Sequence, residues 1–199
     1  MDCLKASCVF EETIKGSRFL SELFPCESQA LAREIVKTQK SKYADSTHVV
    51  HAFVIGSGAE ILGMSDDGEP SGTAGRPTLD VLKGRGCTNT LITITRWFGG
   101  TLLGTGGLVK AYGNGAKQVI QKADELGLFE ELVEKKDFSF TADYSLYKVL
   151  KKNMEQFTLY DVNEAFAEAV TVTGKIRADQ YQVFAAKLLD LSNGRVLLD

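Results

Sequence analysis

The sequence predicts an α+β protein of two dissimilar folding units, the second a ferredoxin-like βαββαβ domain, on three observations. Glycine is crowded into one stretch, with 15 of the 19 between Gly56 and Gly115, while the last 74 residues hold only Gly127, Gly174 and Gly194. After residue 130, strand-like alternation and helical spacing succeed one another in the order of the ferredoxin-like motif. Charge divides at the same place: residues 1–125 carry 14 basic and 14 acidic side chains, and 126–199 carry 9 and 12. No Pro/Ser-rich linker separates the parts. The boundary therefore falls in the polar EELVEKKD segment near 128–136, giving domains of 1–130 and 131–199.

At 199 residues, 44 % hydrophobic and 25 % charged, the composition excludes collagen-like, coiled-coil and wholly disordered classes. A net charge of −3 supplies no global positive field, so any contact with nucleic acid has to be local. Apolar runs fall far short of the roughly 20 residues that span a bilayer, and the opening MDCLKASCVFEETIKG lacks a basic region followed by an apolar one. A cytoplasmic protein with no membrane partner is expected. The four cysteines, Cys3, Cys8, Cys26 and Cys87, form no C-x-x-C pair and read as small buried hydrophobes rather than disulfides or zinc ligands.

In the first part, β-like stretches at about 7–14 and 17–24 precede an amphipathic helix at 28–41 that Ser28 caps. THVVHAFVI, 47–55, is a buried strand whose period of two sends His48 and His51 to opposite faces. A short helix starts at Pro77 and stops at Gly84, before the strand NTLITITRWF, 89–98. In the second part a strand at 132–142 alternates Phe138, Phe140 and Ala142 with Ser139 and Thr141. A helix follows over 144–156, then a hairpin of strands near 158–164 and 167–174, a helix at 178–190, and VLLD as a closing strand.

Two segments carry the chemistry. SDDGEPSGTAGRP, 65–77, is too turn-rich for a simple connection. Asp66, Asp67 and Glu69, with the hydroxyls of Ser71 and Thr73, form an oxygen set for Mg²⁺, the one cofactor the sequence suggests. The same acids serve equally well as turn initiators paired with Arg76 or Arg85. RWFGGTLLGTGGLVKAYGNGAKQVI runs from a strand end through a glycine-rich turn into a helix, an arrangement that presents unpaired backbone N–H groups to an anion such as phosphate. Lys110 would add positive charge to that cradle; in the other reading the glycines serve only tight turns and helix–sheet contact. No G-x-x-x-x-G-K-[ST] is present, and Gly104-Thr105-Gly106 is followed by Val109 where G-x-G-x-x-G requires glycine, so NTP hydrolysis and a Rossmann site are disfavoured.

Together DDGEPSGTAGRP, TRWFGG and LGTGGLVKAY, with Ser17–Phe19 and the Thr47-His48 pair, resemble the YigZ/IMPACT family, and the resemblance runs along the whole chain. It implies a first domain of ribosomal-protein domain-2-like fold and a second similar to a ferredoxin-like domain of elongation factor G, and hence a link to translation. Eukaryotic members are linked to restraint of the translational-stress kinase through competition for its activator. They carry an additional RWD domain with no counterpart in this sequence, so that partner is not carried over. Trp97 stands where the family motif commonly has tyrosine, which keeps a stacking surface and removes a hydroxyl.

Three function classes follow. In the first, a non-enzymatic protein binds RNA or the ribosome weakly: Arg96, Lys110, Lys117 and the backbone of Gly99, Gly100, Gly104, Gly106 and Gly107 contact phosphates while Trp97 stacks on a base. In the second, a metal-dependent enzyme acts on a small anionic or phosphorylated substrate through the loop residues Asp66, Asp67, Glu69, Ser71, Gly72, Thr73 and Arg76, with His48 as proton carrier. A module that docks a protein partner through the exposed loop is a third.

Overall fold

The computed structural model describes residues 1–198. The fold class is α+β, and the chain divides into two compact units, Met1–Leu132 and the residues from Val133 onward. In chain order the first unit holds β1 (Asp2–Leu4), β2 (Cys8–Ile14), β3 (Ser17–Pro25), α1 (Gln29–Lys42), β4 (His48–Ile55), β5 (Ile61–Ser65), α2 (Gly75–Arg85), β6 (Cys87–Thr88), β7 (Thr90–Trp97), α3 (Thr105–Glu125) and β8 (Phe129–Glu131). The second holds β9 (Lys135–Ala142), α4 (Tyr144–Met154), β10 (Leu159–Phe166), β11 (Val170–Arg177) and, after a single 3₁₀ turn, α5 (Tyr181–Leu191).

The first unit is built on a five-stranded antiparallel sheet of order β2-β3-β7-β4-β5. One face is covered by α2 and α3 through Val50, Ala52 and Val54 of β4, Ile92 and Ile94 of β7, Leu82 of α2, and Ala111, Tyr112 and Ala116 of α3. The other face carries α1 over a smaller cluster of Cys26, Ala32, Ile55 and Leu91. Both faces of β4 and β7 are therefore covered, which is why these strands read as nearly unbroken apolar runs, whereas the edge strand β2 alternates. His48 and His51 do fall on opposite faces. Helix α3 approaches the sheet closely at Gly115, where an added Cβ would lie 2.7 Å from Ser21 Oγ.

The helix expected from Pro77 to Gly84 runs instead from Gly75 to Arg85 and ends on left-handed Gly86, φ 72°. Its early start comes from outside the helix, because the Asp66 carboxylate accepts the N–H groups of Ala74 and Gly75. Strand β5 had no counterpart in the sequence reading.

The second unit orders its sheet β10-β11-β9, all antiparallel, with α4 and α5 over Phe138, Phe140, Val170, Val172 and Ile176. The strand expected at VLLD does not form among the described residues: the chain from Arg195 to Leu198 pairs with no strand, the N–H groups of Arg195 and Val196 turn back to Ser192, and Val196 tucks its side chain into the apolar cluster at 3 % exposure. Asp199 lies outside the described residues.

Candidate anion-binding cleft

Strand alternation decides the floor of the candidate site. On β7, Ile92, Ile94 and Arg96 share the face that meets α3, so Arg96 is buried at the end of the sheet, beside its register partner His48 on β4. The loop between β5 and α2 returns over this end and delivers Glu69. Glu69 Oε1 accepts from Arg96 Nη1 at 2.7 Å and from the Tyr112 hydroxyl at 2.7 Å, and Oε2 lies 3.8 Å from His48 Nε2. Arg96 Nη2 donates to Ser17 Oγ at 3.3 Å. Burial first, then the bond to Glu69, raises the pKa of Tyr112, so its phenol stays protonated and donates.

His48 Nδ1 lies 2.7 Å from the Asp67 carbonyl oxygen, which can only accept, so Nδ1 carries a hydrogen, and Nε2 is turned to the Glu69 side. Above this floor opens a cleft of about 470 Å³, bounded by Thr47, His48, Glu69 and Arg96 below, Phe98, Leu102 and Leu103 at the side, and Gly104 and Thr105 at the start of α3. The acidic loop and the glycine-rich turn therefore meet at this cleft. Gly104, φ 72°, is the N-cap and no acid lies in the first turn, so among the described residues no side chain claims the N–H groups of Thr105, Gly106 and Gly107 at the start of the long helix α3.

The remaining sequence candidates are dispersed. Trp97 lies on the opposite face from Arg96, with the Arg18 guanidinium 4.3 Å over its ring and its Nε1 donating to Asp45 Oδ2 at 2.9 Å. It does not line the cleft; Phe98, one residue on, does. Gly99 packs backbone to backbone on Gly16 and donates its N–H to Ser17 Oγ at 3.2 Å, and Gly100, φ 86°, makes an open turn. Gly106 and Gly107 belong to the first turn of α3. Lys110 is exposed on α3 outside the cleft lining, and Lys117 borders a different concavity with Asp80 and Arg85.

The three loop carboxylates do not converge. Asp66 accepts N–H groups of Gly72, Ala74 and Gly75 at 2.8, 3.0 and 2.8 Å, Asp67 takes Lys40 and the Val49 N–H, and Glu69 faces Arg96. Among the described residues no group of three or more His, Cys, Asp or Glu side chains gathers in a form that could hold a metal ion. Thr73 Oγ1 donates to the Pro70 carbonyl at 2.7 Å, Ser71 and Gly72 lie exposed in the turn, and Arg76 pairs with Asp80 rather than with a loop acid. Missing from the sequence reading were Phe98, Tyr112, Leu102 and Leu103. One signal would have found Phe98, because continuing the alternation Ile92, Ile94, Arg96 by one more step reaches it, whereas helical spacing puts Leu108 and Tyr112 on the apolar side of α3 without revealing the Glu69 that Tyr112 meets.

Asp66 offers a test of the loop as a folded part. Burial disfavours its charge, but the N–H donors of Gly72, Gly75 and Ala74 outweigh this and hold its pKa below the usual Asp value. The stability it contributes is therefore present above the ordinary Asp range and is lost as pH falls through the depressed folded-state value. Asp66→Ala is expected to cost about 1–3 kcal/mol at neutral pH by stranding these amides. Urea titrations of the two proteins should differ at pH 7 and converge in acid; equal stability at pH 7 would contradict the assignment.

The description "Impact N-terminal domain" matches residues 15–120, and a domain of unknown function, DUF1949, matches residues 140–195. An IMPACT family member of Haemophilus influenzae is 34 % identical over 98 % of this chain and 93 % of its own, and IMPACT family member YigZ of Escherichia coli is 32 % identical over 94 % and 91 %. The crystal structure of a hypothetical protein, 32 % identical, superposes with a TM-score of 0.71 over 99 % of this chain and 95 % of that one.

Proposed function

The chain belongs to the IMPACT family, and we propose that its first unit is an RNA-binding module acting in translation, which seats one phosphate-bearing nucleotide in the cleft. The observation that carries this reading is the opening of an uncapped helix amino terminus and an exposed aromatic into one cavity: Phe98 is 47 % and Leu102 83 % exposed, both beside Gly104 and Thr105. A phosphate meets the free N–H groups and the positive end of the α3 dipole, while a base lies against Phe98 and Leu102. The cleft, about 470 Å³, is within the range of small-ligand sites and takes one nucleotide rather than a duplex. Arg96 contributes a fixed field rather than a flexible contact, because Glu69 already holds its guanidinium. With a net charge of −3, the attraction is local and weak, and it should fall steeply with salt.

Gly106→Asp tests the phosphate seat. No atom lies within 4 Å of a Cβ added there, so the carboxylate enters without a clash and occupies the helix terminus itself. Binding of a short single-stranded RNA at low salt is expected to drop by roughly tenfold or more, with the melting temperature unchanged or raised. Phe98→Ala should cost about 1–3 kcal/mol of RNA affinity, and Lys110→Glu, outside the cleft, much less than Gly106→Asp. In a sucrose gradient the wild type should travel with ribosomal particles at low salt and return to the top as salt rises. RNA affinity unchanged in Gly106→Asp would overturn the reading.

A second reading is favoured by His48. Its Nδ1–H is anchored on the Asp67 carbonyl and Nε2 reaches the cleft floor, a placement that in the neutral ring suits a general base toward a small anionic substrate. On this reading His48→Gln is expected to retain ligand binding and abolish turnover.

A further inference from the structure

On the opposite face of the first unit's sheet a cavity of about 440 Å³ opens between α1 and β4. Its walls are apolar at Ala32, Val36 and Phe53, and its rim is cationic at Arg33, Lys37 and Lys40, which at i, i+4 and i+7 share one side of α1. The ring of Phe53 needs Gly63 beneath it, where a Cβ would lie 2.2 Å from the ring. His51 forms part of the lining, and its Nδ1 is buried without a hydrogen-bond partner. A buried nitrogen with no partner is costly, so the cavity carries an unmet polar group beside its apolar side chains.

We propose that this cavity is a second binding site, distinct from the cleft at α3, for a small carboxylate with an apolar body, such as an aromatic or branched aliphatic acid. The charge pattern selects the head group. Asp67 already holds Lys40, whereas Arg33 and Lys37 stand exposed with no carboxylate in ion-pair range among the described residues, so the rim offers one guanidinium fork and one free ammonium to a monoanion. A phosphate dianion would find no N–H cradle, because Ser28 caps the amino end of α1 by accepting the Leu31 N–H. Burial, then the nearby Lys40, lowers the pKa of His51 against the opposing pull of Asp67, which makes it a neutral ring offering one hydrogen bond rather than a third charge. The apolar walls supply the affinity and the rim the orientation.

Calorimetry of the full chain with 3-phenylpropanoate, its uncharged amide 3-phenylpropanamide and inorganic phosphate tests the site. The acid should bind with a Kd of about 1 mM or tighter and at least roughly tenfold more tightly than the amide or phosphate. Lys37→Glu and Arg33→Glu, both at exposed positions where folding is not at stake, should each weaken the acid by roughly tenfold, and the imidazole NMR signals of His51 should shift on binding while those of His48 do not. Gly106→Asp should leave all of this unchanged. Equal binding of acid and amide, no measurable binding of the acid, or a shift at His48 instead of His51 would overturn the proposal.

Discussion

Glu69→Ala is expected to cost about 3–5 kcal/mol of folding stability, the largest loss of any single side chain at the cleft, read as a fall in the urea midpoint with an unchanged slope. The Glu69 and Arg96 side chains are 3 % and 6 % exposed, and attraction between them is what compensates the removal of both charges from water. Without the carboxylate, the Arg96 guanidinium stays buried with only the 3.3 Å bond to Ser17 Oγ, and the Tyr112 hydroxyl loses its acceptor in the core. The conservative Glu69→Gln keeps an acceptor oxygen for Tyr112 and should lose less, about 1–3 kcal/mol. Adding Arg96→Met to Glu69→Leu should recover much of the loss, since an apolar pair of similar volume leaves no orphaned charge. A Glu69→Ala protein within about 0.5 kcal/mol of wild type would mean that the pair is solvated and that the cleft floor is not as described.

Gly99→Ala is the second large effect. A Cβ on Gly99 would sit 1.8 Å from the Gly16 carbonyl carbon, 1.9 Å from its oxygen and 2.3 Å from the Ser17 nitrogen, all backbone atoms that no rotamer can move. Gly16, φ 84°, completes the turn between β2 and β3, so the glycine pair lets the end of β7 lie directly on that turn and brings Ser17 to both Arg96 and the Gly99 N–H. Separating the two segments should cost about 3 kcal/mol or more, visible as a lowered melting temperature and loss of soluble protein. Gly106→Ala, with open space around the added methyl, should be neutral or stabilising by about 0.5–1 kcal/mol and should retain RNA affinity because its N–H remains. If Gly99→Ala were as stable as Gly106→Ala, the close packing at Gly16 would be wrong.

These contrasts separate glycines that look alike in sequence. Gly99, Gly100, Gly104, Gly106 and Gly107 all read as one anion cradle, yet the first is a packing contact, the second an open turn, and only the last three form the amino end of α3. In the acidic loop, Asp66, Asp67 and Glu69 read as one oxygen set, yet each has a different partner drawn from a different element: the amides before α2, Lys40 of α1, and Arg96 of β7. Spacing along a chain gives no directions in a loop, because no fixed period governs where successive side chains point there. In strands it does: the separation of His48 from His51 follows from a period of two, and the same period sets Trp97 away from Arg96, against the expectation that grouped them in one site.

By itself, then, the sequence determined what local periodicity and family motif carry: an α+β protein with an apolar central strand pair, amphipathic helices, a glycine-rich turn feeding α3, and membership of its family. Only the tertiary structure decided which of those residues face one another. The buried Glu69–Arg96–Tyr112 group joins three elements, with Arg96 27 positions and Tyr112 43 positions along the chain from Glu69, and a charge becomes buried or free according to whether a distant partner arrives to meet it. The closing strand expected at VLLD, 196–199, shows the same limit, since a short apolar run such as VLL satisfies a core by packing alone and needs a free sheet partner to become a strand.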